Sequence, residues 1–306
     1  KTVQAIILSP TRELAVQISE ELKKLSKHKR LRILPIYGGQ DIGVQLRALR
    51  QGVQIVVGTP GRVVDHLHRG TLQLSQIKHF VLDEADEMLD MGFLEEIEEI
   101  LTHAGTERSI WLFSATLSGQ IRGIAKRFMT DPREVKIQKN TATTENTEEI
   151  YYAVQEHNKF EALCRLIDHA KEMYAIVFCQ TKAQCAEVAE RLVLKGFKAE
   201  ALHGDMNQAQ REHVMRKFKA KGVRLLIATD VAARGIDVND LTHVINYSLP
   251  MESESYIHRI GRTGRAGKTG IAITLVTPSE NYKLRRLEGN TRKRITKSTI
   301  PGIQEI

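Results

Sequence analysis

Two clusters in this 306-residue sequence carry side chains suited to phosphate chemistry. Asp83-Glu-Ala-Asp86 follows the apolar run Phe80–Leu82. A carboxylate closing a strand holds a divalent cation, usually through waters, while its neighbour orients a water for in-line attack on a phosphoryl group. The plainer reading of the same residues is an acidic helix start, favoured by the macrodipole. The second cluster, His258-Arg-Ile-Gly-Arg-Thr-Gly-Arg265, spaces His258, Arg262 and Arg265 four and three apart, on one helical face. Two guanidiniums on one face suit a transferring phosphate. A solvated basic patch is the alternative, but it has no need of the glycines, which weaken a helix. Gly38-Gly39 and Thr59-Pro-Gly61 allow main-chain amides to approach phosphates, with Arg12 and Arg62 adding charge.

These clusters must be positioned by regular elements, and the hydrophobic pattern supplies them. Strands are expected at 5–8, 33–37, 54–57, 80–82, 110–113 and 134–137, separated by helices at 13–27, 42–50, 62–69, 93–102 and 119–128. The alternation resumes with strands at 150–154, 175–179, 199–202, 224–228, 243–247 and 271–276 and helices at 159–171, 183–195, 208–220 and 253–260. Strands alternating with helices mean a mainly parallel sheet covered on both faces. The fold class is therefore α/β, with two consecutive domains at 1–138 and 148–278. Residues 139–147, free of large apolar side chains, read as a linker. Residues 279–306 read as a basic helix followed by an irregular end. In open parallel sheets ligands bind beyond the carboxyl ends of the strands, where these polar and Gly-rich segments collect.

Composition excludes several classes. Hydrophobic residues make up 42% and charged residues 27%, as in ordinary globular chains, and no apolar run reaches the ~20 residues that span a bilayer. Three cysteines without a C-x-x-C pair argue against a disulfide framework and for a reducing, cytoplasmic compartment. The eleven histidines do not join them at zinc spacing. The formal net charge is +8, and half of it falls in the last 28 residues, with 7 basic against 3 acidic. That balance fits a polyanionic partner such as nucleic acid.

The order of these segments resembles the DEAD-box RNA helicases, with a bacterial flavour in Asp83–Gly92 and in 250–301. Pro10-Thr-Arg-Glu-Leu-Ala15, Gly38-Gly39, Thr59-Pro-Gly-Arg62, Asp83-Glu-Ala-Asp86, Ser114-Ala-Thr116, Gln208-x-x-Arg211, Ala228–Asp237 and His258–Arg265 stand in the family's order over about 255 residues. The resemblance implies two tandem RecA-like domains that close around ATP and single-stranded RNA. By position, Asp83 coordinates Mg²⁺ and Glu84 activates the attacking water. Asp86, Ser114, Thr116 and His258 couple nucleotide state to closure. Arg262 and Arg265 match the arginine fingers, and Gly235 and Asp237 touch the nucleotide. RNA backbone contacts fall to Pro10, Thr11, Arg12, Gly39, Thr59, Gly61, Arg62, Thr181, Gln208, Arg211, Thr229 and Arg234. In the family such contacts go mainly to phosphates and 2′-hydroxyls, so they carry little sequence information.

Two parts of the family pattern are missing from the sequence, an adenine-reading segment and the phosphate-binding loop that follows it. The phosphate-binding loop G-x-x-x-x-G-K-[ST] normally precedes the Pro-Thr-Arg segment. Gly267-Lys268-Thr269 does not supply it, since Arg262 occupies the first glycine position and a strand comes next where a helix is required. The expectation is a first domain left incomplete by truncation, and an isolated fragment that does not hydrolyse ATP. The other readings are a naturally shortened RNA-binding module that never hydrolyses ATP, and a DNA-unwinding enzyme of related architecture.

Overall fold

A computed structural model describes residues 2–136, 146–170, 172–233, 236, 238, 241–264 and 267–302. The chain divides into two compact units, one built mainly from the residues up to Lys136 and the other mainly from those C-terminal to it.

The first unit is a five-stranded sheet, parallel throughout, in the order β2-β3-β1-β4-β5. Its strands are β1 Ala5–Leu8, β2 Ile33–Ile36, β3 Ile55–Gly58, β4 His79–Leu82 and β5 Ser109–Leu112. Between them run α1 Arg12–Leu25, α2 Ile42–Arg50, α3 Pro60–His68, α4 Ala85–Asp90 and α5 Leu94–His103, and α6 Gly119–Phe128 comes after β5. Alternation along the strands separates two apolar faces. Ile6, Leu8, Val56, Phe80 and Leu82 pack with Val63, Met88, Ile97 and Ile121 on one face. Val57 and Ile7 pack beneath α1 through Ala15, Ile18 and Leu22 on the other.

The second unit has a seven-stranded sheet, also parallel throughout, in the order β12-β6-β11-β10-β7-β9-β8. It contains β6 Thr147–Ala153, β7 Ala175–Phe178, β8 Ala199–Leu202, β9 Leu225–Ala228, β10 His243–Asn246, β11 Gly270–Val276 and β12 Thr296–Ser298. The helices are α7 Lys159–His169, α8 Lys182–Leu194, α9 Gln208–Lys219, α10 Asp230–Ala233, α11 Ser253–Ile260 and α12 Asn281–Thr291. The central strands β7 and β9 are buried at every position, as the apolar runs require.

Two expectations are corrected. Residues 134–136 form no strand and Val135 is 82% exposed, because an extended segment without a neighbouring ladder leaves its amides to water. The irregular end expected after the basic helix instead contains β12, which pairs with β6 from Thr296↔Ile150 to Ser298↔Tyr152. Its Thr-Lys-Ser composition is what an edge strand tolerates and an apolar pattern misses. The linker at 139–147 lies, up to residue 145, outside the described residues.

Candidate active site and nucleic-acid interface

In the first unit the carboxyl ends of the strands divide by neighbourhood. Those of β4 and β5 carry the acidic cluster and Ser114-Ala-Thr116, and those of β1, β3 and β2 carry the three basic and Gly-rich loops.

Asp83 follows β4 and its amide donates to Leu8 O at 3.0 Å. Its carboxyl is held above the usual range by burial, only partly offset by the Glu84 amide donating to Oδ1 at 3.1 Å. A desolvated carboxylate without a cation among the causes of its shift is a site that a cation would relieve. Among the described residues no three His, Cys, Asp or Glu side chains converge. The chemistry of the Asp83 carboxylate fits Mg²⁺, whose shell is commonly completed by phosphates and waters.

Glu84 stands at φ 50, ψ 52, a left-handed backbone that is costly for a residue with a β-carbon. It precedes α4 and makes no side-chain cap hydrogen bond. Asp86, 8% exposed, accepts through Oδ2 from the Thr116 amide at 2.9 Å and the Thr116 hydroxyl at 3.1 Å. Ser114 Oγ donates to Thr116 O at 2.6 Å. The acidic cluster and the Ser-Ala-Thr segment are thus one hydrogen-bonded assembly.

On the other side, Thr11 caps α1 by accepting from the Leu14 amide at 3.2 Å, which starts the helix at Arg12. Arg12 lies over Gly39, whose φ is +77, and a β-carbon there would overlap Arg12 Nη1. That glycine brings loop and guanidinium together. Thr59 precedes Pro60 at the first turn of α3 without capping it, and Gly61 beside it is exposed. Gln45, 1% exposed, joins these loops. Its Nε2 donates to Tyr37 O at 2.9 Å and its Oε1 accepts from Arg62 Nη1 at 3.4 Å and faces His66 Nε2 at 3.0 Å. His66 is fully buried and desolvation lowers its pKa, so it is neutral near pH 7. Gln45 and His66 left no signal as functional residues in the sequence beyond being polar inside apolar helices.

In the second unit, Thr181 caps α8 by accepting from the Gln184 amide at 3.2 Å. Gln208 donates to Glu212 Oε1 at 3.0 Å, and Arg211 Nη2 donates to Ala232 O at 3.3 Å, tying α9 to α10. Thr229 follows β9 and its carbonyl accepts from the Ala233 amide at 2.9 Å. His258 lies on α11, and Arg262 lies just past its end, where its amide donates to Arg259 O at 3.0 Å. Thr263 Oγ1 then donates to Leu241 O at 2.5 Å. This anchors the turn after α11 at the amino end of β10. Arg234, Gly235, Asp237 and Arg265 lie outside the described residues.

Sequence reasoning missed Arg259, 3% exposed, which donates to both Asp230 oxygens at 2.6 and 2.7 Å. Its neighbours in the pattern were read as phosphate ligands, while Arg259 is an internal strut.

The comparisons with known proteins bear on the family and the fold. The family model described as DEAD/DEAH box helicase matches residues 1–124, and that described as Helicase conserved C-terminal domain matches 158–267. A DEAD box protein from the hyperthermophile Methanococcus jannaschii is 51% identical, with 97% of this chain and 80% of that one covered, at a TM-score of 0.55. The chain belongs to the DEAD-box RNA helicase family. Saccharomyces cerevisiae Dbp5, solved with RNA and ADP BeF3, is 30% identical over 99% of this chain and 79% of its own, with a TM-score of 0.88. The tandem parallel sheets are accordingly RecA-like. The DEAD-box ATP-dependent RNA helicase CshA of Bacillus cereus is 51% identical over 305 residues, and this helicase core spans 58% of its length. CshA of Geobacillus kaustophilus is 52% identical over 303 residues, 65% of its length. Among the described residues of the core no helix is long and apolar enough to cross a membrane.

Proposed function

We propose that this core hydrolyses ATP and couples hydrolysis to clamping the backbone of single-stranded RNA, opening short duplexes locally. The observation that carries the proposal is the assembly at the ends of β4 and β5: a desolvated Asp83, a left-handed Glu84 and an Asp86 carboxylate bonded twice to Thr116.

Glu84 would orient a water and accept its proton, a role supported by its left-handed backbone beside Asp83. Asp83 would hold Mg²⁺, which neutralises charge on the nucleotide's phosphates. Arg262 and Arg265 supply guanidinium charge to the transferring group. Asp86 and Thr116 pass any shift at the acidic turn to the Ser114–Thr116 segment through two hydrogen bonds. Arg12, the Gly38-Gly39 loop, Thr59, Gly61 and Arg62 offer amides, a hydroxyl and cations to RNA phosphates. Pro10 and Thr11 of the first unit, and Thr181, Gln208, Arg211, Thr229 and Arg234 of the second, would add backbone contacts that read shape and charge rather than base identity.

Anisotropy with a fluorescent single-stranded RNA tests the coupling in the full-length protein. We expect affinity to fall steeply with salt, as phosphate contacts require, and to rise at least ten-fold with ADP–beryllium fluoride. Affinity indifferent to nucleotide would assign the core to RNA binding without hydrolysis.

A further inference from the structure

The second unit contains a buried polar chain that begins in the C-terminal segment and ends beside the arginine-rich turn. Lys293 Nζ lies 2.6 Å from Glu149 Oε1 on β6, whose side chain is 4% exposed. The geometry is that of an ion pair rather than an aligned hydrogen bond, and Oε1 has no hydrogen-bond donor. The other oxygen, Oε2, accepts from Tyr256 Oη on α11 at 2.8 Å. Tyr256 is 1% exposed, and the Thr274 side chain on β11 faces its hydroxyl. Asn246 Nδ2 on β10 donates to Thr274 Oγ1 at 3.1 Å, and Asn246 Oδ1 accepts from Arg259 Nη1 at 3.0 Å. Arg259 closes the chain on Asp230.

Asn246 donates to Thr274, Tyr256 donates to the Glu149 carboxylate, and Arg259 donates both to Asn246 and to Asp230. Such chains polarise one another and lose more than one bond's worth when a member is removed. Glu149 is the anion at one end, and a buried carboxylate is expensive without a cation. Lys293 supplies that cation.

The apolar contacts follow the same route. Leu284, Leu287 and Ile295 of the C-terminal segment form one cluster with Tyr256 and Ile260 of α11. Asn290 Nδ2 donates to Ser253 Oγ, at the first residue of α11, at 2.9 Å. The Ile295 amide donates to Glu288 Oε1 at 2.9 Å and closes the turn that delivers Lys293 to Glu149 and then β12 to β6.

We infer that Asn281–Ser298 is a brace for α11, with Lys293 as a positioning residue that, through Glu149 and Tyr256, sets where the helix ends and so where His258 and Arg262 stand. The segment is an interior support of the second unit rather than an appended RNA-binding arm. The inference rests on the proposed role of Arg262 in hydrolysis.

The test uses the full-length protein with ATP and poly(U) RNA, comparing wild type with Lys293→Met, Lys293→Arg and Glu149→Gln/Lys293→Met. For Lys293→Met we expect a ~10-fold lower kcat at 25 °C with KM for ATP within two-fold of wild type, since a displaced Arg262 weakens the transition state rather than nucleotide binding. Lys293→Arg and the double variant, which removes both charges, recover most of that kcat. Hydrogen exchange of the amides at 253–262 rises in Lys293→Met more than in α7 or α8. If Lys293→Met does not fold, the isosteric Tyr256→Phe breaks the same chain one link further on and must show the same kcat loss and exchange pattern. A folded Lys293→Met or Tyr256→Phe with wild-type kcat and unchanged exchange at 253–262 overturns the inference. A wild type without RNA-stimulated hydrolysis sinks the functional reading instead, and the exchange measurement then decides the brace by itself.

Discussion

At the scale of single residues, the core separates groups that do chemistry from groups that hold them. Glu84 and Arg262 are the residues proposed to act on substrate, whereas Gln45, Asp86 and Arg259 are buried and hydrogen-bonded to other residues. The pattern in the sequence reveals the first kind, because spacing and residue type survive without a fold. It hides the second kind. Arg259 stands between His258 and Arg262 in a run of cations, and only the tertiary fold shows that it meets Asp230. The left-handed turn at Glu84 leaves no mark in residue type at all. Gln45 gives a direct check. Gln45→Leu leaves Tyr37 O and the Arg62 and His66 nitrogens without this partner, which we expect to cost ~1–3 kcal/mol in urea denaturation. Single-stranded RNA affinity should fall roughly five-fold or more as Arg62 loosens. Unchanged affinity in the destabilised variant would remove Arg62 from the RNA surface.

At the scale of elements, apolar runs placed the strands that are buried on both faces, since those need no partner information. β7 and β9 are examples. They misplaced a strand at 134–136 and missed β12, both at positions where pairing rather than hydrophobicity decides. β10 also carries a pH dependence. Burial lowers the pKa of His243 to about 4 from 6.5, so below pH 6.5 the unfolded chain binds a proton that the folded one refuses. Stability is full above pH 6.5 and is lost as pH falls from there to about 4. Because His243 is only partly enclosed, we expect a loss of about 1–2 kcal/mol over that window. His243→Gln should flatten the slope of stability against pH in urea melts, and an unaltered slope would assign the dependence to other groups.

At the scale of the whole molecule, the two sheets differ in how well the described residues cover them. α1 packs over β1, β2 and β3, but Val81 on β4 is only half-buried and its neighbour in register, Trp111 on the edge strand β5, is 53% exposed. Phe113 beyond it is 54% exposed. An open strand edge beside exposed aromatics is a surface that associates. Residues 1–138 expressed alone should therefore aggregate or bind a hydrophobic dye, while the second unit, expressed with its C-terminal segment, unfolds cooperatively. Equally sharp thermal transitions for the two pieces would refute this. If the acidic turn after β4 is a hydrolytic centre stimulated by RNA, the rate of ATP hydrolysis with and without single-stranded RNA, for the full-length protein and its Glu84→Gln variant, shows it. We expect RNA stimulation in the wild type and a loss of at least ~100-fold in Glu84→Gln with RNA binding retained. Equal hydrolysis by both proteins would contradict it.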